Sequence, residues 1–457
     1  MVILFSCFSG LLKAQEQEQV QEQEWKSENN ELKLFPAQIS VYYPVGTHGR
    51  QSQNYSYNFS INMLYGKTGG INGLEFSGLY GRVRGDVSGI QVAGLANRVD
   101  KEMKGIQMAG LSNVVGGGLN GIQMAGLANV VGDGARGIQL SSLTNVVGDG
   151  MKGIQVSGFA NVIGDEMNGI QVSGFASVVG DEMKGIQVSG FASVVGDHMK
   201  GTQISGFASV VGDDMDGIQI SGIANVAGKE MKGIQIAGVV NATDNMGGIQ
   251  IAGIYNRTTK MTGINIGGIY NRINTLNGLQ IGIVSINDTI EKGISMSVVN
   301  IVKNGAYKEW ELSVSDYANV ALSFKMGMQN FYTIYTAGAT FIEDNLWIFG
   351  GGFGNRTPIN SRFDFQHELM SCYYFPSNFK NINHTYLTRL KLGFVYNLNE
   401  KFGLSLAPSV YVMNTKKDKS PESEYYKITP FGAFYTKDKN FKQLSSGVGV
   451  TLAINMR

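Results

Sequence analysis

Gly169-Ile-Gln-Val-Ser-Gly-Phe-Ala-Ser-Val-Val-Gly-Asp-Glu-Met-Lys184 runs directly into Gly185-Ile-Gln-Val-Ser-Gly-Phe-Ala-Ser-Val-Val-Gly-Asp-His-Met-Lys200, and the two blocks differ at one position. The same block extends in both directions. Its leading glycine recurs sixteen residues apart from Gly73 through Gly233, then fifteen apart at Gly248, Gly263, Gly278 and Gly293. A fixed period of this kind marks a tandem array in which neighbouring copies share one core.

The columns of the alignment carry more than its rows. Two after the leading glycine stand Gln91, Gln107, Gln123, Gln139, Gln155, Gln171, Gln187, Gln203, Gln219 and Gln235. Eight after it stand Asn97, Asn113, Asn129, Asn145 and Asn161, then Ser177, Ser193 and Ser209. Stacked β-coils bring such side chains to about 4.8 Å from their copies, where amides can bond along a ladder. A second glycine, five after the first, is expected to supply a bend of positive φ between two short strands. Methionine two before the leading glycine (Met151, Met167, Met183), with Ile, Val and Phe or Leu, is expected to fill a narrow core. Between Val45 and Thr357 there is no proline, as a parallel ladder that uses every N–H requires.

Outside the array the period is two. In Asn54–Tyr65 an aromatic and aliphatic face (Tyr55, Tyr57, Phe59, Ile61, Met63, Tyr65) alternates with a polar one, and 37–45 is its expected partner strand. Beyond Trp310, about eight longer strands alternate, for example Leu390, Leu392, Phe394 and Tyr396 against Arg389, Lys391 and Gly393. Strands of about ten residues, apolar on one face and small or polar on the other, suit an outer-membrane barrel.

The full chain has 457 residues and a formal net charge of +1, which gives no electrostatic reason to expect nucleic acid. Its 62 glycines have no three-residue period, so collagen is excluded. Two cysteines, Cys7 and Cys372, support neither a disulfide framework nor a cysteine zinc site, and the four histidines lack ligand spacing. Residues 1–14 read as an apolar signal peptide with Ala14 at the cleavage point, and 15–34 as a Gln/Glu-rich disordered spacer.

Two motifs are weighed against the repeat itself. Gly116/Gly118/Gly121, Gly132/Gly134/Gly137 and Gly148/Gly150/Gly153 match the dinucleotide fingerprint, but each is followed by a strand, not by a helix N-terminus. The column Asp133, Asp149, Asp165, Asp181, Asp197 and Asp213 is the one metal candidate, for calcium. With one or two carboxylates per copy and lysines three residues on, it reads as a row of solvated turns. No cofactor and no catalytic set is expected.

The array Gly-Ile-Gln-Val-Ser-Gly-Phe-Ala-Asn-Val resembles the surface-repeat family of Gram-negative bacteria, exported proteins that are mostly uncharacterised. Ala37–Gly46 and the segments 302–311 and 331–339 are similar to the same family. The resemblance implies an outer-membrane or cell-surface location and no catalytic residues. The resulting expectation is an all-β chain: a β-solenoid-like array over 73–302, preceded by a hairpin or cap over 35–72 and followed by an antiparallel β-barrel-like domain over 303–457. Its expected role is a non-enzymatic scaffold or a surface for an unknown protein or glycan, in an oligomeric state the sequence leaves open. The alternative is a large outer-membrane pore in which each repeat is one transmembrane strand. That pore requires neighbouring repeats to run antiparallel; the solenoid requires them parallel.

Overall fold

The computed structural model describes residues 32–341, 345–377, 384–416, 433–439 and 442–457. The expected leader with Cys7, nearly all of the Gln/Glu spacer and most of the polar loop 415–424 lie outside them. The chain is all-β: a parallel solenoid of about 14 turns and a closed eight-stranded antiparallel barrel. It divides into two compact units, Met1–Gly206 and Phe207–Arg457, with coils in both and the barrel in the second.

One coil consists of the strand Met151–Ser157, a corner at Gly158 and Phe159, the strand Ala160–Ile163, and a second corner at 164–166. Its strands pair parallel with those of the next coil at the same column, Gly153 with Gly169 and Gln155 with Gln171. Parallel pairing recurs through the array. It overturns the large pore, whose successive strands would have to alternate in direction.

The interior departs from the expected one. Met151, Gln155, Ser157, Asn161 and Ile163 point inward, whereas Ile154 and Phe159 are about 40% exposed. Side chains alternate between the two faces of a strand, so a strand that buries Gln155 must turn Ile154 outward. Burying the amide succeeds because each copy meets its own kind. Gln155 Nε2 donates to Gln139 Oε1 at 3.0 Å, and Gln171 Nε2 donates to Gln155 Oε1 at 3.0 Å. A buried amide with its partners in place has a stabilising hydrogen bond in place of a desolvation penalty. The Met column is fully buried and closes the core beside the second corner.

The backbone roles of the two glycines also differ from expectation. Positive φ belongs to the leading glycine, between +123° and +149° from Gly73 through Gly293. The second glycine is required by close stacking: a Cβ at Gly174 would lie 2.0 Å from the carbonyl oxygen of Gly158 in the preceding coil. Where the repeat shortens to fifteen residues, the residue is lost at the second corner. The strand Val240–Ala252 runs unbroken through that shortened corner and pairs with Ala224–Ala237 across a register irregularity between Ala227 and Glu230.

In the segment over 35–72 the antiparallel hairpin is short, Lys33–Tyr42 turning back on Val45–Gly46, and the expected long partner strand joins as a coil. Lys33–Tyr42 pairs parallel with Tyr55–Thr68. In Tyr55–Thr68 the alternation changes phase at an irregularity after Tyr57, so Ser60 and Asn62 are buried while Met63 is exposed. Polar side chains therefore enter the core from the first turn.

At the other end the strand Tyr270–Asn304 packs against the barrel strand Phe331–Thr340. Thr333 Oγ1 donates to the Ser297 carbonyl at 2.7 Å, and Asn330 Nδ2 to the Gly293 carbonyl at 3.4 Å. The barrel thus covers the final coil, whose open edge would otherwise leave strand groups unpaired. The barrel comprises Tyr307–Ser315, Val320–Met328, Phe331–Thr340, Leu346–Pro358, Phe363–Pro376, His384–Asn397, Phe402–Lys416 and Lys442–Met456. It closes where Trp310 pairs with Met456. A further short strand, Ala433–Lys439, pairs with the last of these.

Candidate functional site: two apolar outer surfaces

The first surface is a ridge on the coils. Leu79, Leu95, Leu111, Leu127 and Leu143 occupy the first corner and are succeeded in the same column by Phe159, Phe175 and Phe191, each 40–50% exposed. The phenylalanine rings stack at 4.9 Å between centroids and 2° between planes. Ile154, Ile170 and Ile186 extend the apolar surface beside them. An ordered apolar row this long exceeds what scattered surface residues produce. The predicted site residues fall inside and opposite it. Gln91 through Gln203 are fully buried in one ladder, as are Gln219 and Gln235, which are joined by a 2.9 Å hydrogen bond. Asn97, Asn113, Asn129, Asn145 and Asn161 form the second ladder. Each donates across the core to a carbonyl of the next coil, as Asn145 does to Val156 at 2.7 Å.

The aspartate column stands on the second corner. Asp133, Asp149, Asp165, Asp181 and Asp197 are exposed, and Asp213 pairs with Lys229 at 2.7 Å. Stacked backbone bonds such as Asp181 N to the Asp165 carbonyl hold this corner. Among the described residues, no three His, Cys, Asp or Glu side chains come together to hold a metal ion. The glycines of the fingerprint matches lie at this corner and at the start of the next strand, away from any helix.

One ionisable group in the array escaped the sequence reading. Glu75 stands in the glutamine column one coil before Gln91 and is fully buried. It accepts from Gln91 Nε2 at 2.8 Å and from Asn62 Nδ2 at 3.1 Å. Burial pushes its carboxyl up from 4.5 to about 7, against the lowering effect of these hydrogen bonds. The departure from glutamine at that one copy was the available signal.

The second surface is the outer wall of the barrel. Leu312, Leu369, Leu390, Phe394, Leu406, Val450 and Leu452 point outward and are exposed. Aromatic pairs gather in two belts. Trp310–Phe324 (4.7 Å), Phe331–Phe353 (5.5 Å) and Phe365–Phe394 (5.0 Å) lie toward one end. Phe349–Phe375 (5.5 Å) and Tyr373–Tyr386 (4.8 Å) lie toward the other, with Trp347. The belts are six to eight residues apart along a strand (Trp347 to Phe353, Phe365 to Tyr373), or about 20–26 Å at the usual rise.

The inner wall is ionic. Glu309, Glu311, Asp364 and Glu368 face Lys325, Arg356, Arg389 and Lys391, all buried. Lys325 Nζ reaches Glu311 and Glu368 at 2.6 Å each and Glu309 at 3.2 Å. Lys391 Nζ reaches Glu311 at 2.6 Å and Glu368 at 3.0 Å. Arg356 bonds Glu309 and, at 2.7 Å, Asp364. Arg457 adds contacts to Glu309 at 3.3 Å and Asp364 at 3.2 Å, and Arg389 bonds the Tyr317 and Thr451 hydroxyls; anions matched by cations are how buried charge becomes tolerable. The alternation of Arg389 and Lys391 with leucines was visible in the sequence, but their partners were not. Cys372 is a buried free thiol in the barrel, and His384 bonds the Tyr373 hydroxyl at 2.8 Å.

No protein-family model, no curated protein and no solved structure matches the chain.

Proposed function

We propose that this chain is an outer-membrane-anchored, non-enzymatic scaffold. The barrel is the anchor, and the coil array presents the Leu/Phe ridge as a binding surface for a protein or glycan partner. The observation that carries this reading is the inverted polarity of the barrel. An exterior that is apolar between two aromatic belts, around an interior of paired charges, is stable when hydrocarbon and not water surrounds it. At the usual strand tilt of about 40° the belts stand about 15–20 Å apart in height, somewhat less than the roughly 25 Å apolar band of such barrels. Closure of the strand ring leaves no unpaired edge in lipid.

The array supports the binding role by its rigidity. Ladder bonds repeat from Gln107 through Gln203 and again at Gln235 and Gln250, and the ridge is held by corners whose glycines admit no side chain. The test is fractionation of the full-length chain from a Gram-negative host. Recovery in the outer-membrane fraction, extraction only by detergent, and a folded barrel that migrates differently before and after boiling are expected. Release by buffer alone would defeat the anchor.

A further inference from the structure

The connections between barrel strands are unequal at its two ends. At one end they span 329–330, 359–362 and 398–401. At the other they span 316–319, 341–345, 377–383 and, between the last two barrel strands, 417–441. The short end is also where the solenoid joins, because Tyr307, the first barrel residue after the coils, pairs with Gly327 beside the shortest turn. Asn330, in that turn, touches the final coil. Barrels of the outer membrane keep short turns in the periplasm and longer loops outside.

We infer that the coils over 207–304 lie on the periplasmic side of the outer membrane, while the long-loop end of the barrel faces the cell exterior. This rests on the membrane-anchor reading above and reverses the display implied by the family resemblance. Two observations converge on it. The last coil packs against the outer face of Phe331–Thr340 at its short-turn end, through Thr333, so that coil and the short turns share one side. Among the described residues of 207–304, no strand belongs to the closed barrel.

The experiment introduces one cysteine at a time into the full chain in a Gram-negative host and labels it with a membrane-impermeant maleimide. Phe341→Cys reports the long-loop end, where Phe341 is 59% exposed. Lys232→Cys reports the coils, where the lysine side chain is 62% exposed. The unsubstituted chain, with Cys7 and the buried Cys372, is the blank. In intact cells Phe341→Cys should react and Lys232→Cys should not, and both should react once the outer membrane is permeabilised. Labelling of Lys232→Cys in intact cells, alone or together with Phe341→Cys, overturns the assignment. Protection of both in intact cells overturns it as well: release by buffer alone then shows that the anchor has failed, and retention in the outer-membrane fraction shows that the anchor stands with its long loops inside.

Discussion

The coils and the barrel both put polar groups inside and apolar groups outside, but they satisfy the polar groups in opposite ways. In the coils each buried amide meets an identical amide one coil away, as Gln187 meets Gln171 at 2.9 Å. In the barrel each buried ion meets a different ion from a distant strand, as Lys391 meets Glu311 across 80 residues of chain. A neutral ladder is redundant, and a fault in it stays within two coils. An ion network spreads its faults, because removing one charge leaves the several ions that share it under-compensated in a low-dielectric interior.

The largest effect expected of a single substitution is therefore in the barrel. Lys325→Ala takes the cation shared by Glu309, Glu311 and Glu368 and leaves Glu311 and Glu368 to Lys391 alone. Breaking buried pairs typically costs about 3–5 kcal/mol, a large part of the stability of an ordinary domain. The folded fraction in detergent, read by heat-modifiable migration, should collapse. If it survives, the network is not what holds the barrel.

The next effect is pH-dependent and belongs to the coils. Glu75 titrates near 7 when folded against 4.5 ordinarily, so the folded chain binds that proton more tightly. Its contribution is fully present below about 4.5 and is lost as pH rises through 7. The difference is worth about 3 kcal/mol at 1.36 kcal/mol per unit. Hydrogen exchange in the first coils should be slower at pH 5 than at pH 8 once corrected for intrinsic rates, and Glu75→Gln should remove that extra difference. An unchanged pH response in the variant would assign the effect to another group.

A smaller loss is expected from Gln171→Ala, which leaves Gln187 without its acceptor and Gln155 without its donor. About 1–3 kcal/mol should be lost, confined by hydrogen exchange to the adjoining coils while the barrel is unaffected. Spread of the loss into the barrel would remove the distinction between the two regions. The smallest effect is none at all: chelating calcium should leave thermal unfolding unchanged, because the aspartate column lies on exposed corners. A downward shift would make those corners a metal site.

How much of this was legible depended on repetition. The two amide columns could be read because each coil repeats the position, and spacing alone places copies against one another. The outward turn of Ile154 and Phe159 was not legible, because hydrophobicity favours burying them. Only the alternation fixed by Gln155 and Asn161 decides the face. The eight-strand barrel followed from period-two patterns such as Leu390 to Tyr396. Its ion pairs did not, because Lys325 and Glu368 are brought together by strand order and closure, which no local pattern records. Glu75 stood in plain view as the one acidic residue in a column otherwise of glutamine, asparagine and serine.

The two ladders also have a direction. Glutamines donate toward the preceding coil, as Gln107 does to Gln91 at 2.8 Å, whereas asparagines donate toward the following one, as Asn113 does to Asn129 at 3.0 Å. Aligned amides sum into a macrodipole, as peptide groups do along a helix. Here the two columns oppose each other within one core, so a coil that carries both adds almost no net dipole. The serine coils at Ser177 and Ser193 lack the asparagine member, and there the glutamine column stands uncompensated. Its donor end finishes on the Glu75 carboxyl, much as an acidic side chain caps a helix N-terminus. An array wired in this way can gain or lose an asparagine-bearing coil by duplication or deletion without a growing electrostatic penalty, so its length is free to vary in evolution.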